Sequence, residues 1–223
     1  MNARSVYIVA AAFALFAAVH SLTVSRVFKD FVLGLIGETR MRAYYRLGFT
    51  VVSVATTALA GYVIFTRPDT FLYRPPSYIL WPMHAVQFIG LAIFILSQMP
   101  FNSGYFLGIK QALGYMKTGN AGGNIEGIPV GALVTTGVYG LVRHPMYLGG
   151  ILMFLFEPAI TVNNLVLRCL AVGYFVIGGL VEDRRFLGEF GDAYRSYRQD
   201  VPMFNIVAGV IRCHSREGGN PGI

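Results

Sequence analysis

Arg143, His144 and Pro145 stand in a row, with Tyr147 just behind them, where a glycine-rich stretch meets an apolar run. Pro145 suits the first turn of a helix, because its missing N–H would have no partner there. A helix N-terminus attracts anions, and an arginine and a histidine beside it add charge-assisted donors. The pattern indicates a corner that binds a carboxylate or a phosphate. The motif alone favours the alternative of a plain juxtamembrane anchor, with arginine at the headgroups and tyrosine in the aromatic belt.

A second charged pair, Glu182-Asp183, follows the last apolar run of the chain. The two apolar runs before it, residues 146 to 162 and 165 to 181, are separated only by Asn163-Asn164. So short a gap predicts an antiparallel helical hairpin, because the chain must reverse at the membrane face. We therefore expect the acidic pair to lie beside the basic corner.

A basic and an acidic corner that face each other across one helix pair suit a zwitterion. The amino-acid moiety of S-adenosylmethionine carries a carboxylate for the first corner and an ammonium for the second, and the aromatic faces of Tyr139 or Tyr147 would attract its sulfonium. A thiol acceptor would react as the thiolate, which Arg143 or a neighbouring cation would stabilise. The structural alternative is that the acidic pair only marks the end of a membrane helix, paired with Arg184 or Arg185.

The elements that position these residues are predicted to be membrane helices. Of the 223 residues, 55% are hydrophobic and 13% are charged, and the mean hydropathy is positive, which is outside the range of a soluble globular domain. The apolar residues gather into runs near the roughly 17 to 25 residues that cross the hydrocarbon layer. These runs cover residues 6 to 24, 47 to 65, 78 to 97, 146 to 162 and 165 to 181. We expect an all-α integral membrane protein with about five transmembrane helices and a C-terminal amphipathic interfacial helix.

The net charge of +7 reflects where the basic residues lie along the chain. They concentrate after the first run, after the third run and in the C-terminal segment, which five helices would put on one face of the membrane. The positive-inside rule then predicts a bacterial inner-membrane protein with its N-terminus outside and its C-terminus in the cytoplasm. The excess of basic residues is therefore explained by the membrane topology, so no nucleic-acid partner is expected. The basic loop behind the first run favours an uncleaved anchor over a signal peptide.

Three successive parts are predicted along the chain. Residues 1 to 100 form a three-helix membrane region, residues 101 to 211 form the cofactor site, and residues 212 to 223 form a disordered tail, because they are polar and rich in glycine. The glycine-rich segment from Phe101 to Gly137 is typical of a cytoplasmic loop, either a mobile lid or a plain linker. After Glu182, apolar residues recur at helical spacing among arginines, which predicts the interfacial helix. They are Phe186, Phe190, Tyr194, Tyr197 and Val201.

Several strings around these residues resemble one family. Gly137-Val138-Tyr139 leads to Arg143-His144-Pro145-Met146-Tyr147-Leu148-Gly149, and Glu182-Asp183-x-x-Phe186-Leu187 is followed by Phe190-Gly191-x-x-Tyr194-x-x-Tyr197. The pattern is similar to the signature of the isoprenylcysteine carboxyl methyltransferase and phospholipid methyltransferase superfamily of membrane methyltransferases. More closely, His20-Ser21 with Phe28-Lys29, and Gly108-Ile109-Lys110-Gln111, resemble the branch that contains methanethiol S-methyltransferase and the NnrU-like proteins.

The resemblance implies an S-adenosylmethionine pocket that opens to the cytosol and an acceptor that enters from the bilayer. Asp183 stands where that superfamily often has glutamate, and the glycine-rich loop looks longer than in the methanethiol enzymes. Both differences leave the acceptor open. The residues predicted to bind the cofactor are Gln111, Tyr139, His144, Tyr147 and Glu182, and those predicted to act in catalysis are Arg143 and Glu182.

Ionisable residues within apolar runs often mark functional sites. His20, near the predicted cytoplasmic end of the first run, is predicted to bind the acceptor, with a structural role as the alternative. His84 and Glu157 lie toward the outer side or an end of their runs, where water reaches them, which favours structural roles. Cys169 and Cys213 show neither metal-ligand nor disulfide spacing, so no metal site is expected.

The sequence thus predicts S-adenosylmethionine-dependent methyl transfer to a small thiol or lipid-like acceptor at the cytoplasmic face of the membrane, in contact with membrane lipids. Catalysis would consist of holding donor and acceptor in line and excluding water, so no nucleophile–base pair is expected. Two rival hypotheses stay open. One is a non-catalytic NnrU-like membrane protein linked to nitrogen-oxide metabolism, and the other is an NADPH-dependent membrane reductase, although the chain lacks a dinucleotide glycine fingerprint after a strand. The oligomeric state is left open.

Overall fold

The computed structural model describes residues 3 to 126 and 133 to 217, with the backbone alone from residue 213 onward. The chain divides into two compact units. The first unit comprises Met1–Tyr73, Phe101–Val130 and Ile160–Leu170, and the second comprises Arg74–Pro100, Gly131–Ala159 and Ala171–Ile223. Each unit is therefore discontinuous in sequence. The division into three successive parts stays a prediction.

The described residues form helices almost throughout. The α-helices are α1 (Ala3–Val24), α2 (Arg26–Phe65), α3 (Ser77–Gln98), α4 (Ser103–Phe106), α5 (Ile109–Thr118), α6 (Pro145–Leu155), α7 (Val162–Phe190), α8 (Asp192–Asp200) and α9 (Ile206–Glu217). A 3-10 helix covers Gly137–Gly140, and two short strands, β1 (Phe71–Tyr73) and β2 (Ile160–Thr161), pair antiparallel within the first unit.

Four of these helices, α1, α2, α3 and α7, are long and apolar enough to cross a membrane. Many of their large apolar side chains are exposed, as a hydrocarbon environment allows. The prediction of an all-α membrane protein is confirmed. The fifth apolar helix, α6, has only 11 residues, which gives a length of about 16 Å against the roughly 30 Å of a hydrocarbon core.

The chain reverses between α6 and α7 at residues 156 to 161, so the prediction of a turn at Asn163-Asn164 is wrong. Both asparagines lie in the first turn of α7. The Thr161 hydroxyl accepts the backbone N–H of Asn164 at 3.2 Å and so caps the helix. The backbone N–H of Asn163 donates to the Asp69 carboxylate at 3.0 Å. The reversal comes earlier than predicted because Thr161 and Asp69 satisfy the amides that begin α7.

In the first unit, α2 bends sharply at Gly37, whose φ of 77° and ψ of 165° favour glycine. The bend divides α2 into a first leg, residues 26 to 36, and a second leg, residues 38 to 65. The glycine-rich segment predicted as a loop also contains two helices, α4 and α5. Its described end is tied to the first leg by an ion pair between Glu126 and Lys29, at 2.5 Å. The glycines at positions 127 and 131 lie outside the described residues.

In the second unit, α3 and α6 approach closely because two glycines meet at their crossing. A Cβ built on Gly149 would lie 2.6 Å from the carbonyl oxygen of Gly90, and one built on Gly90 would lie 2.8 Å from the Cβ of Leu152. Small residues allow membrane helices this kind of contact. A core of Ile93, Val142 and Leu148 lies next to the crossing and holds the start of α6 in place.

The predicted interfacial helix is divided in two. The helix α7 continues through Phe190 and ends at Gly191, whose φ is 54°, and α8 follows. Tyr194 and Tyr197 of α8 are buried and pack back onto Phe186 and Phe190 of α7, so the aromatic residues cover one another instead of forming one lipid-facing stripe. The helix α9 continues through residues 212 to 217, where a disordered tail was predicted, and residues 218 to 223 lie outside the described part.

Candidate functional site

The segment before α6 is held by the segment after α8. The backbone N–H groups of Arg143 and His144 donate to the carbonyls of Pro202 and Met203, at 2.9 and 3.4 Å. Pro145 then occupies the first helical position, as predicted, where its missing N–H costs nothing. These two backbone contacts fix the direction in which the Arg143 and His144 side chains leave the chain.

The buried side chain of Arg143 makes four hydrogen bonds to the described residues. Its Nε and Nη2 atoms donate to the two oxygens of Asp183, at 3.2 and 3.1 Å, in a bidentate pair. Its Nη1 atom donates to the carbonyls of Arg198 and Val201, at 3.1 and 2.6 Å. The guanidinium therefore joins α7 to the C-terminal end of α8.

His144 lies between two carboxylates. Its Nδ1 atom is 3.2 Å from Glu182 Oε2, and its Nε2 atom is 2.9 Å from Asp183 Oδ1. The ring stacks between Tyr147, at 5.7 Å between centroids, and Phe186, at 6.5 Å. Each ring nitrogen of His144 therefore faces one of the two acidic side chains.

Arg143, His144, Glu182 and Asp183 form one charged cluster. Asp183 is its buried centre, with 6% of its side chain exposed. It accepts hydrogen bonds from Arg143, His144 and the Tyr194 hydroxyl, and Nε of Arg198 lies 3.4 Å away. A buried carboxylate is stable only when such donors satisfy its oxygens. Asp183 therefore belongs to the framework of the site.

Glu182 differs from its neighbour because 30% of its side chain is exposed. Burial, and then the negative charge of Glu182, raise the pKa of Tyr139, which also donates from its hydroxyl to the carbonyl of Ser97 at 3.1 Å. Tyr147, stacked on His144, lies next to the same carboxylate. Glu182 thus presents an accessible negative charge among tyrosines.

Two tyrosines of α8 complete the cluster. Burial, and then the hydrogen bond to Asp183, raise the pKa of Tyr194. Burial also raises the pKa of Tyr197, whose hydroxyl donates to the carbonyl of Tyr139 at 2.7 Å. Both phenols stay neutral donors at ordinary pH. The sequence predicted these residues only as an interfacial stripe. A continuous helix would place Tyr194 about three turns from Asp183, and only the break at Gly191 brings the two side chains into contact.

The predicted meeting of basic and acidic corners is confirmed, since His144 touches both acidic residues and Arg143 touches one. Gln111 and His20 belong to the first unit. Gln111 is fully buried, donates to the carbonyls of Tyr105 and Asn124 at 2.8 and 3.3 Å, and has no partner for its Oε1 atom within the described residues. His20 Nδ1 lies 3.3 Å from the Ser53 hydroxyl. Their cofactor and acceptor roles stay predictions.

His84 and Glu157 have a structural explanation within the second unit. His84 Nδ1 lies 2.9 Å from the Gln87 amide oxygen, and the Gln87 amide nitrogen donates to Glu157 at 3.1 Å. The same nitrogen also donates to the carbonyl of Met153 at 3.0 Å. These contacts link α3 to the end of α6, which agrees with the structural roles predicted for His84 and Glu157.

Comparison with known protein families identifies the family of this chain. The family model described as NnrU protein matches residues 8 to 156. The chain belongs to the NnrU protein family. The matched residues include Arg143 and His144 of the cluster but end before Glu182 and Asp183, which α7 supplies.

Curated relatives of this NnrU family member include several enzymes named methanethiol S-methyltransferase. The one from Pseudomonas deceptionensis is 27% identical over 199 residues, which cover 85% of this chain and 68% of the relative. Methanethiol S-methyltransferase 1 of Bradyrhizobium diazoefficiens is 26% identical over 199 residues, which cover 85% of this chain and 63% of that relative. The Mycobacterium tuberculosis enzyme is 38% identical over 66 residues, 30% of this chain and 27% of the relative. No solved structure matches significantly. The names support methyl transfer at the level of the family.

Proposed function

We propose that this NnrU family member transfers a methyl group from S-adenosylmethionine to a small thiol or another lipophilic nucleophile at the cytoplasmic face of the membrane. The observation that carries the proposal is the Glu182 carboxylate, which is partly exposed, held by His144 and surrounded by tyrosines. The methanethiol S-methyltransferases that match 85% of the chain support the same type of reaction.

Glu182, Tyr139 and Tyr147 fit the cationic part of this cofactor. A carboxylate pairs with an ammonium, and tyrosine faces attract a sulfonium. When bound, the cofactor would supply a methyl group on a positively charged sulfur. A thiolate would take this methyl group in one in-line displacement, with S-adenosylhomocysteine as the leaving group. Glu182 would then orient the donor, and the aromatic rings would exclude water from it. Gln111 belongs to the first unit, and its role as a cofactor ligand stays a prediction from the sequence.

In this proposal Arg143 positions other residues of the site. The sequence predicted instead that Arg143 contacts the cofactor or the acceptor. Its side chain is 7% exposed, and its hydrogen bonds go to Asp183 and to the end of α8. Asp183 in turn holds His144, and His144 holds Glu182. The buried ion pair thereby fixes the geometry of the one accessible carboxylate of the cluster.

The charges next to this cluster support one orientation in the membrane. Arg184, Arg185, Arg195 and Arg198 lie at the end of α7 and in α8. The positive-inside rule places such a concentration in the cytoplasm. We therefore propose that the site faces the cytosol from a bacterial inner membrane and that the acceptor reaches it from the bilayer. The outside position of the N-terminus, which requires five crossings, stays a prediction.

Isothermal calorimetry on the detergent-purified protein tests the proposal, with S-adenosylmethionine, S-adenosylhomocysteine and NADPH titrated separately. We expect both adenosyl compounds to bind and NADPH not to bind. If the folded protein binds neither adenosyl compound, the methyltransferase proposal is overturned, and binding of NADPH alone would favour a reductase.

Two glutamate variants locate the site. Glu182→Gln should weaken S-adenosylmethionine binding by roughly tenfold to a hundredfold, because a charge-assisted contact is lost. Glu189→Gln is the matched control, since Glu189 lies two turns further along α7, is 46% exposed and pairs only loosely with Arg185 at 3.7 Å. Equal affinities in the two variants would place the pocket elsewhere.

The acceptor class is tested by gas-phase detection of dimethyl sulfide after methanethiol and S-adenosylmethionine are added to the protein. Production of dimethyl sulfide would assign a small thiol acceptor. Its absence from a protein that binds S-adenosylmethionine would assign a larger lipophilic acceptor, which labelled methyl transfer into lipid extracts would detect.

A further inference from the structure

An apolar cavity of about 280 Å³ lies in the first unit, between the end of α1 and the two legs of α2. Phe28, Val32 and Ile36 line it from the first leg, and Tyr44, Gly48 and Val52 line it from the second leg. Tyr44 and Gly48 are exposed there, so the cavity opens at the surface of the unit. Its size is near the lower end of the range of about 300 to 1,000 Å³ for small-molecule pockets.

The sequence builds this cavity through two helical stripes and one bend. Each set of three lining residues recurs at a spacing of four, so it forms one face of its leg. The bend at Gly37 turns the two faces toward each other. Gly48 then leaves space between them, because a Cβ built on it meets no atom within 4 Å.

Several large apolar side chains next to the lining residues are exposed, so hydrocarbon can reach the cavity. Val27, Phe31 and Leu35 of the first leg and Val51 of the second leg are all exposed. Val51 belongs to the apolar run of residues 47 to 65, and the first leg precedes that run along the chain. Water would find few hydrogen-bond partners in a cavity with this lining. An acyl chain from the bilayer would bury its methylene groups there.

A positive charge stands at one end of the same stripe. Arg40 precedes Tyr44 by four residues and is exposed. The neighbouring Arg42 is engaged with Glu38 at 2.6 Å. An exposed guanidinium beside an apolar slot matches a lipid phosphate joined to an acyl chain.

We propose that this cavity is a binding site for an anionic phospholipid, with one acyl chain between the two legs of α2 and the phosphate on Arg40. The site uses residues of the first unit only. It does not depend on the proposed methyl transfer, and a lipid bound there need not be a methyl acceptor.

A matched pair of glycine variants tests the site. Gly48 and Gly34 both lie in α2, and a Cβ built on either meets no atom within 4 Å, but only Gly48 lines the cavity. The full chain is placed in phosphatidylcholine nanodiscs that contain phosphatidylglycerol with a photoactivatable diazirine in its acyl chain. Labelled peptides are then identified by mass spectrometry. We expect labelling within residues 28 to 52, about tenfold weaker in Gly48→Leu because the leucine displaces about two methylene groups, and unchanged in Gly34→Leu.

The headgroup is tested with Arg40→Gln. Wild-type protein should be labelled more strongly by the phosphatidylglycerol probe than by a phosphatidylcholine probe with the same chain, and Arg40→Gln should remove this preference. Equal labelling of Gly48→Leu and wild type, or equal labelling by the two probes in wild type, would overturn the proposal. Should Gly48→Leu fail to fold, Val52→Trp replaces it, with Val51→Trp as its control, since Val51 is exposed outside the cavity lining.

Discussion

His144 and Asp183 are joined by a contact of 2.9 Å between Nε2 and Oδ1, while the other ring nitrogen of His144 faces Glu182. One imidazole therefore connects a buried carboxylate with a partly exposed carboxylate, Glu182, which is the one proposed to meet the cofactor. The adjacent acidic residues differ in role because four donor groups surround Asp183, including the guanidinium of Arg143 and the hydroxyl of Tyr194.

Asp183→Ala should destabilise the protein strongly. The change leaves Arg143 buried without its bidentate partner, and removal of one member of a buried ion pair costs about 3 to 5 kcal/mol. Thermal unfolding in detergent measures the loss. Asp192→Ala is the control, because that carboxylate is 91% exposed and its pair with Arg195 contributes about 1 kcal/mol or less. Equal melting temperatures for the two variants would contradict the framework role of Asp183.

Gly149→Ala should lower the melting temperature by separating α3 from α6. The added methyl would meet the carbonyl oxygen of Gly90 at 2.6 Å and the Cβ of Phe94 at 2.9 Å, which forces the helices apart. Gly173→Ala in α7 provides the comparison, since no atom lies within 4 Å of its built Cβ. A Gly149→Ala protein as stable as Gly173→Ala would mean that the helices do not cross at these glycines.

Tyr194→Phe should lower stability at neutral pH by about 1 kcal/mol, because Asp183 loses one of its donors. Burial and that hydrogen bond raise the pKa of Tyr194 above its ordinary value of about 10. The stabilisation by the neutral phenol is therefore present below about pH 10 and is lost as the pH rises through the folded-state pKa. Melting temperatures from pH 7 to 11 should show the difference between wild type and variant narrowing above about pH 10. A difference in melting temperature that widens above pH 10 would contradict the predicted loss of stabilisation.

Gly108→Ala should release α5 from α2 within the first unit. Gly108 has a φ of 83°, and a Cβ there would lie 2.2 Å from the backbone nitrogen of Leu47. Gly119, at the other end of α5, has a similar φ of 69° but open space around its Cβ, so Gly119→Ala adds backbone strain without a clash. Limited trypsin digestion should cleave at Lys110 and Lys117 faster in Gly108→Ala only. Equal cleavage of both variants would assign the effect to backbone strain alone.

The membrane helices and the start of α6 could be predicted from the sequence alone. Long apolar runs identify membrane helices, because an exposed backbone is too costly in hydrocarbon for another structure to form. Pro145 marks the start of α6 for a local reason, since proline fits the first helical turn. The meeting of His144 with Glu182 also followed from the order of the runs, although the chain reverses at residues 156 to 161 and not at Asn163.

Only the tertiary structure decided which charges are buried. The sequence assigned Arg143 to catalysis and did not identify Asp183 as the partner that holds it, because residue type does not reveal partners from distant elements. The carbonyls of Arg198 and Val201 and the hydroxyl of Tyr194 reach the cluster through the break at Gly191, which no periodicity predicts. The cavity between the legs of α2 likewise depends on the bend at Gly37. Sequence spacing determines which residues share a helix face, whereas packing between elements determines what that face meets.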